Sequence, residues 1–442
     1  MVKRLTRGQA GRAPGEGSDP ALRTWRRVFI LGACLAFALL TYVRVNDGSA
    51  ELYVTDAYYY YAYLPSWFMD HDLDFANQYQ HRPDLAPTIW MAPTRIGMPG
   101  NPYAMGMPLL LSPAFVLAQW ICGGTGDGWE IRYQVPVYTL AFLYSLAGVL
   151  LTAQMFSRLF GERVTFEAAV LLALGTPWLA YIWFEPSYSH GVSSFTVALY
   201  LAALLRARET PTGINMLLVG AALGIACMAR WQNLALGICA CMLLGKAPFS
   251  RLLLIAPAAI LAFFPQMVVW KQIYGEWITQ PQGAGYMQWG RPQVLGLLFS
   301  TNHGVYTWTP LLFLSTLGFA LVRPPLRTAA GWVFAGIAVQ VLINAQVSDW
   351  WGSGAFGMRR MVDYLPLFAL GHAALLERVA VKTYVDRGVR VLCVFLVLLN
   401  GILAVRYYTG NLPWDGEISL QKLWVETLTY PIDRLTSLLN NR

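Results

Sequence analysis

Apolar runs long enough to cross about 30 Å of hydrocarbon recur from residue 26 to residue 406, broken by short charged or Pro/Gly-rich pieces. They are continuous and helical in length, unlike the ten-residue alternation of a membrane β-barrel. The pattern predicts an all-α polytopic membrane protein with about eleven transmembrane helices. These are expected at 26–45, 135–157, 164–183, 190–206, 213–230, 232–246, 251–271, 305–322, 328–347, 362–378 and 389–406. Residues 1–25 are basic and Gly/Pro-rich and read as a disordered cytoplasmic tail. That basic region is too long for a signal peptide and no small-residue cleavage site follows, so the first run is expected to stay as a span.

One stretch decides the topology. Met105 to Cys122 is apolar enough to span, but counting it would put Arg158, Arg163, Arg206, Arg208, Lys246, Arg251, Arg323, Arg327, Arg378, Lys382, Arg387 and Arg390 outside, against the positive-inside rule. With Pro99, Pro102 and Pro108 at or near its start and Pro113 within it, it reads as a juxtamembrane helix on the outer leaflet. The N-terminus is then cytoplasmic. The outward segments are 46–134, 272–304 and a C-terminal tail, 407–442; the multi-pass domain occupies 26–406.

Composition adds exclusions. Of 442 residues, 56% are hydrophobic and 13% charged, against roughly 25% charged in soluble domains, which excludes a soluble globular enzyme. The six cysteines show no metal-ligand spacing with histidine, and a disulfide framework is not expected. A net charge of +8 suggests nucleic acid as a partner, but P-loop, zinc-finger and RNA-binding signatures are absent, and the excess is explained by basic inner loops. Of seventeen tryptophans, only Trp25 and Trp332 fall on the inner side. An interfacial belt populates both faces, so the surplus points to an outward aromatic cleft or to packed outer loops.

Candidate chemistry gathers on that outer side. Asp56 opens the block DAYYYYAY, as a helix cap or as a functional carboxylate near the lipid surface. Tyr58 to Tyr61 and Tyr63 occupy every face of a helix, so they are not all expected in a core; Tyr59 and Tyr60 are candidate substrate contacts. Asp72 and Asp74 form a D-x-D for which a turn or cap is the better reading, since no nucleotide-binding domain accompanies it. WFEPSYSHG sets Glu185 and His190 at the membrane edge, ARWQN sets Arg230 there, and STNHGVYTWTP sets His303 and Tyr306. For the two lone histidines, hydrogen-bonded interface positions are the simpler role. In SDWWGSGAFGMRRMVDYLP, Arg359 and Arg360 lie beside a Gly-rich turn with Trp350 and Trp351. The arginine fork suits phosphate oxygens and glycines open the backbone to the same anion; snorkelling to lipid headgroups is the alternative.

An outward transferase has no pool of nucleotide sugar and needs a donor carried by the membrane, which a polyprenyl-phosphate sugar provides. Phosphate is a good leaving group whose added charge arginines stabilise, so one carboxylate acting as base suffices, unlike the paired carboxylates of glycosidases. TDAYYYYAYLPSWFMDHDLDF, NPYAMGMPLLLSPAF, EPSYSH and SDWWGSGAFGMRRMVDYLP, in this order and on one side, resemble the GT-C superfamily of membrane glycosyltransferases. The likeness is to bacterial relatives of the protein-O-mannosyltransferases (family 39) and of the lipid A aminoarabinose transferase. The resemblance implies Asp56 as catalytic base, with Arg359, Arg360 and, more distantly, Arg230 on the donor phosphate. It implies an inverting transfer to an envelope acceptor (lipid, glycan or protein) on the outer face of a bacterial inner membrane. Many relatives carry two adjacent acidic residues where Thr55, Asp56 and Ala57 stand, so a second carboxylate here has to come from elsewhere, such as Asp72 or Glu185. No cofactor is called for; some members of the superfamily use a divalent ion and others do not. Competing readings are a polysaccharide polymerase or ligase using a lipid diphosphate, and a lipid or solute transporter. The transporter is disfavoured because span middles are nearly free of charge.

Overall fold

The structure, a computed structural model, describes residues 19–46, 52–82 and 92–440. Among them the chain is helical, with two isolated β-bridges, Pro93 with Pro99 and Met287 with Val347. Residues 1–18 of the expected tail lie outside the described residues, as do 47–51 and 83–91 of the first outward loop. The first helix already begins at Pro20, inside the segment expected to be tail, and the C-terminal tail carries a helix at Glu426–Asn440.

Five helices are long and apolar enough to cross a membrane: Pro20–Asn46, Ile131–Phe160, Ser189–Glu209, Phe249–Tyr274 and Thr383–Tyr408. The protein is a helical membrane protein. The other six stretches expected to span fall on shorter or interrupted elements. A helix at Glu162–Gly175 stops where Pro177 drives Thr176 to extended geometry (φ −136°, ψ 174°), and a π-helical turn, Ala180–Phe184, follows. Pro310 breaks the next case in the same way, with Thr309 at φ −136° and ψ 72° between Val305–Trp308 and Pro310–Phe319. Residues 231–243 form a 3₁₀ helix, and Arg359–Tyr364 another, ahead of Leu365–Val379. Gly213–Ala229 and Arg327–Asn344 complete the set. Helix length and apolarity alone therefore account for five spans.

Small residues draw the helices together. A Cβ on Gly220 would lie 2.2 Å from the Ile255 carbonyl oxygen and one on Gly224 2.4 Å from that of Ala259, so this G-x-x-x-G face meets the Ile255–Tyr274 helix backbone to backbone. The helix Gly106–Ile121 is about 24 Å long at 1.5 Å per residue, short of the ~30 Å of hydrocarbon. It crosses the end of Gly213–Ala229 so closely that a Cβ on Gly106 would meet Met228 at 2.3 Å. The segment before this helix supplies Pro102, Tyr103 and Ala104 to a cavity that Arg230 also lines.

The tyrosine block departs from expectation: Tyr58, Tyr59, Tyr60, Tyr61 and Tyr63 are all buried. Asp56–Tyr61 is a turn and a half packed among first-loop residues and the helix that carries Val269 and Ile273, so its tyrosines are covered whichever way they point. Tyr58 stacks on Trp129 and Tyr59 on Tyr103, while the Tyr61 hydroxyl donates to the Gly128 carbonyl (2.7 Å) and that of Tyr63 to the Tyr103 carbonyl (3.0 Å). With the Tyr58 hydroxyl donating to the Gln78 carbonyl, three of these buried hydroxyls keep a partner, which helps to make so polar a core tolerable.

Candidate active site

Asp56 is the first residue of its helix and follows Thr55, which holds a strained left-handed φ of 50°. Thr55 hydrogen-bonds the Tyr188 hydroxyl. The carboxylate of Asp56 forms no cap to its own helix. Its Oδ2 meets an Arg359 guanidinium nitrogen at 2.8 Å, and its Oδ1 accepts from the Tyr103 hydroxyl at 2.9 Å. Enclosure by itself raises the carboxyl pKa, but Arg359 and the Tyr103 hydroxyl outweigh it, and the net shift is downward from the usual carboxylate value.

Three arginines converge on this point, each matched by an aspartate. Arg359 pairs with Asp56 and lies over the Tyr188 ring, 5.9 Å from its centroid. Arg360 pairs with Asp349 (2.6 Å), donates to the Tyr286 hydroxyl (2.9 Å) and stacks on the same ring. Arg230 pairs through Nε with Asp363 (3.0 Å) and donates to Ser189 Oγ (3.1 Å). Asp363 is sealed from solvent and also accepts from Ser193 Oγ and from His190 Nδ1, both at 2.8 Å. A carboxylate held by an arginine acts as acceptor, so His190 Nδ1 is the donor in this contact.

Asp56, Tyr60, Tyr103, Tyr188, His190, Arg230, Asp349, Arg359 and Arg360 line one cavity of about 530 Å³. The rest of its lining mixes apolar and aromatic side chains, among them Trp231, Trp270, Trp289, Ile343 and Val347, with polar ones such as Gln232, Gln280, Gln282 and Asn344. The volume falls within the range of small-ligand sites, and a lining that combines charged, polar and aromatic groups suits an amphipathic ligand.

Of the residues singled out from sequence, Asp56, Tyr60, His190, Arg230, Arg359 and Arg360 are thus brought together. The others sit elsewhere. Tyr59 is stacked between Tyr103 and Tyr79 inside the first loop. Glu185 stands behind the wall among tyrosines, its carboxyl pushed up by burial, with Arg44 and Arg359 opposing that rise. His303 donates through Nδ1–H to the Trp351 carbonyl (3.1 Å) and packs on Trp308. The Tyr306 hydroxyl bonds Thr316 Oγ1 at 3.0 Å, and Trp350 packs over Gly296. Trp351 meets Trp350 edge to face. In the Gly-rich turn the Gly352 N–H donates to the Asp349 carbonyl, and Gly352 and Gly357 turn the chain at φ 87° and 59°. Asp72 and Asp74 are turn and cap residues: Asp72 Oδ1 accepts from the Asp74 N–H (3.1 Å) and Asp74 Oδ1 from the Ala76 N–H (3.0 Å). Among the described residues, no cluster of three or more His, Cys, Asp or Glu side chains is arranged to hold a metal ion.

Sequence reasoning missed Tyr103, Asp349, Asp363 and Tyr286. The first three lie inside the segments already marked by their unusual residues, and an aspartate near an arginine pair in so uncharged a chain was the available signal.

Fold and site together define a helical membrane protein with an ion-paired, aromatic-lined pocket built from its first large loop and the ends of several helices. No family model and no curated protein matches the sequence. Among solved structures, the chain is similar to ArnT from Cupriavidus metallidurans in the apo state, with a TM-score of 0.56 at 14% identity over 92% of this chain and 75% of that one. It is similar too to the same protein bound to undecaprenyl phosphate, with a TM-score of 0.53, the same identity and the same coverage. The chain has the ArnT-like fold, in keeping with its resemblance to the GT-C group.

Proposed function

We propose that this chain is an inverting glycosyltransferase that moves a sugar from a polyprenyl-phosphate donor to an envelope acceptor. The observation that carries the reading is the meeting of a cavity-lining carboxylate, Asp56, with Arg359, Arg360 and Arg230 around one cavity. The undecaprenyl phosphate bound by ArnT, whose fold is similar, supports a lipid-phosphate carrier. In this reading the acceptor hydroxyl attacks the anomeric carbon from the face opposite the phosphate, and its proton passes to Asp56. The bond from that carbon to the phosphate oxygen breaks with its electron pair going to the phosphate, whose added charge the arginines take up. The aromatic side chains of the lining suit the C–H faces of a sugar or the first isoprene units.

The topology belongs to the same proposal: eleven spans within 26–406, a cytoplasmic N-terminus, and the cavity on the outer face of a bacterial inner membrane. Sugar and acceptor are to be identified by mass analysis of envelope glycans in a deletion strain. The direct test is transfer of labelled sugar from a polyprenyl-phosphate donor in membranes containing the protein or its Asp56→Ala variant. Transfer by the wild type and its loss in the variant, with undecaprenyl phosphate binding retained, is the expected result; full activity of Asp56→Ala would remove the assignment of Asp56 as base.

A further inference from the structure

The three arginine–aspartate pairs of the cavity are not equivalent. Asp363 has no solvent exposure and accepts from three side chains, so its hold on Arg230 is fixed. Asp349 holds Arg360 and accepts in addition from Ser353 Oγ (2.8 Å), while Arg360 is braced from its other side by Tyr286. Asp56 is the most exposed of the three carboxylates, its side chain at 31%, and among the described residues Tyr103 is its one further hydrogen-bond donor alongside Arg359. Arg359 itself is almost enclosed, at 11%, and its charge is committed to Asp56.

A phosphate entering the cavity therefore meets no free guanidinium among the three, and it must compete with a carboxylate. The Asp56–Arg359 pair is the one with the fewest supporting bonds, and its carboxylate, at 31% against 27% for Asp349 and 0% for Asp363, is the least enclosed of the three. A phosphate takes the guanidinium fork through two oxygens, whereas Asp56 presents Arg359 with one close oxygen and gives the other to Tyr103. While Arg359 holds Asp56, the carboxylate is a poor proton acceptor, since its lone pairs are engaged and its charge is neutralised.

We propose that Arg359 is a latch on Asp56 that the donor phosphate opens: the phosphate draws the guanidinium away, and only then does the carboxylate become free to accept a proton from the acceptor hydroxyl. This rests on the reading of the cavity as a lipid-phosphate site and adds to it an order of events, in which the base is armed only with donor in place. Arg359 is accordingly a positioning residue for Asp56 as well as a phosphate contact.

The test is the affinity for undecaprenyl phosphate in detergent micelles or nanodiscs, with no sugar transfer required. Asp56→Asn removes the competitor, and its binding is expected to tighten by roughly tenfold, the worth of a charge-assisted hydrogen bond no longer broken on binding. Arg359→Gln weakens binding. In the double variant Asp56→Asn/Arg359→Gln the tightening disappears, because no latch remains to be freed. A general effect of removing negative charge would instead tighten binding equally in both backgrounds, and that result overturns the latch. So does unchanged or weaker binding by Asp56→Asn. Absence of binding by the wild type overturns the functional reading itself, a separate outcome. Thermal unfolding checks that each variant is assembled, and Asp56→Ser carries the same comparison if Asp56→Asn is not.

Discussion

Replacing Asp363 by alanine strikes the most deeply enclosed charge described at the site. The carboxylate is fully buried and takes hydrogen bonds from Arg230, Ser193 and His190 at 2.8–3.0 Å. Removing one member of a buried ion pair costs about 3–5 kcal/mol, mostly because the other charge is left without a partner. Arg230 keeps 15% exposure and faces a cavity where water can take over part of the lost contact. The lower end of that range, about 3 kcal/mol, is therefore expected. Pairing the change with Arg230→Met removes the stranded cation, and the double variant is expected to regain at least half of the loss. The assay is unfolding in mixed micelles across the four members of the cycle. A loss below about 1 kcal/mol for Asp363→Ala, or strict additivity in the double variant, would show that the pair does not hold this part of the wall.

Three further outcomes are expected. Gly220→Leu should separate its helix from Ile255–Tyr274, because the Cβ alone would lie 2.2 Å from a carbonyl oxygen; a loss of about 3 kcal/mol or more, or failure to assemble, is read by thermal unfolding. Arg406, buried at the end of Thr383–Tyr408, donates to the Lys422 carbonyl and Thr427 Oγ1, both at 2.7 Å, and pairs with Glu426; Arg406→Met should make the C-terminal helix sensitive to limited proteolysis while the bundle stays resistant. Acid titration should separate two groups. The Asp56 carboxyl lies below its ordinary value in the folded state, so its contribution is present above about pH 4 and is lost as pH falls through the folded pKa, a loss that Asp56→Asn should not show. His303 is lowered by burial to about 4, so the folded state resists its protonation; stability is expected to fall as pH drops from about 6.5 toward that value, and His303→Gln should flatten this part of the curve.

Runs of apolar residues are a local and additive property, and from them alone the chain is legible as a helical membrane protein, with its rare charges confined to the ends and loops of those runs. The residue types needed for the site are visible for the same reason: in so uncharged a sequence, Asp56, Arg230, Arg359 and Arg360 stand out. Hydropathy, however, does not register a helix broken at Pro177 or Pro310, where a missing N–H and a steric constraint on the preceding residue act against an otherwise apolar run. Nor does it show that a row of tyrosines spread around a helix is buried on every side, since that depends on what the rest of the chain packs over it. The pairing of Asp56 with Arg359, of Arg360 with Asp349 and of Arg230 with Asp363 was decided only in three dimensions. Two of these pairs join residues far apart in the chain, and charge attraction has no sequence period. Helix crossings fixed by glycine contacts bring those residues to one cavity, and the same crossings leave Glu185, His303, Tyr306 and the Trp350–Trp351 pair outside its lining.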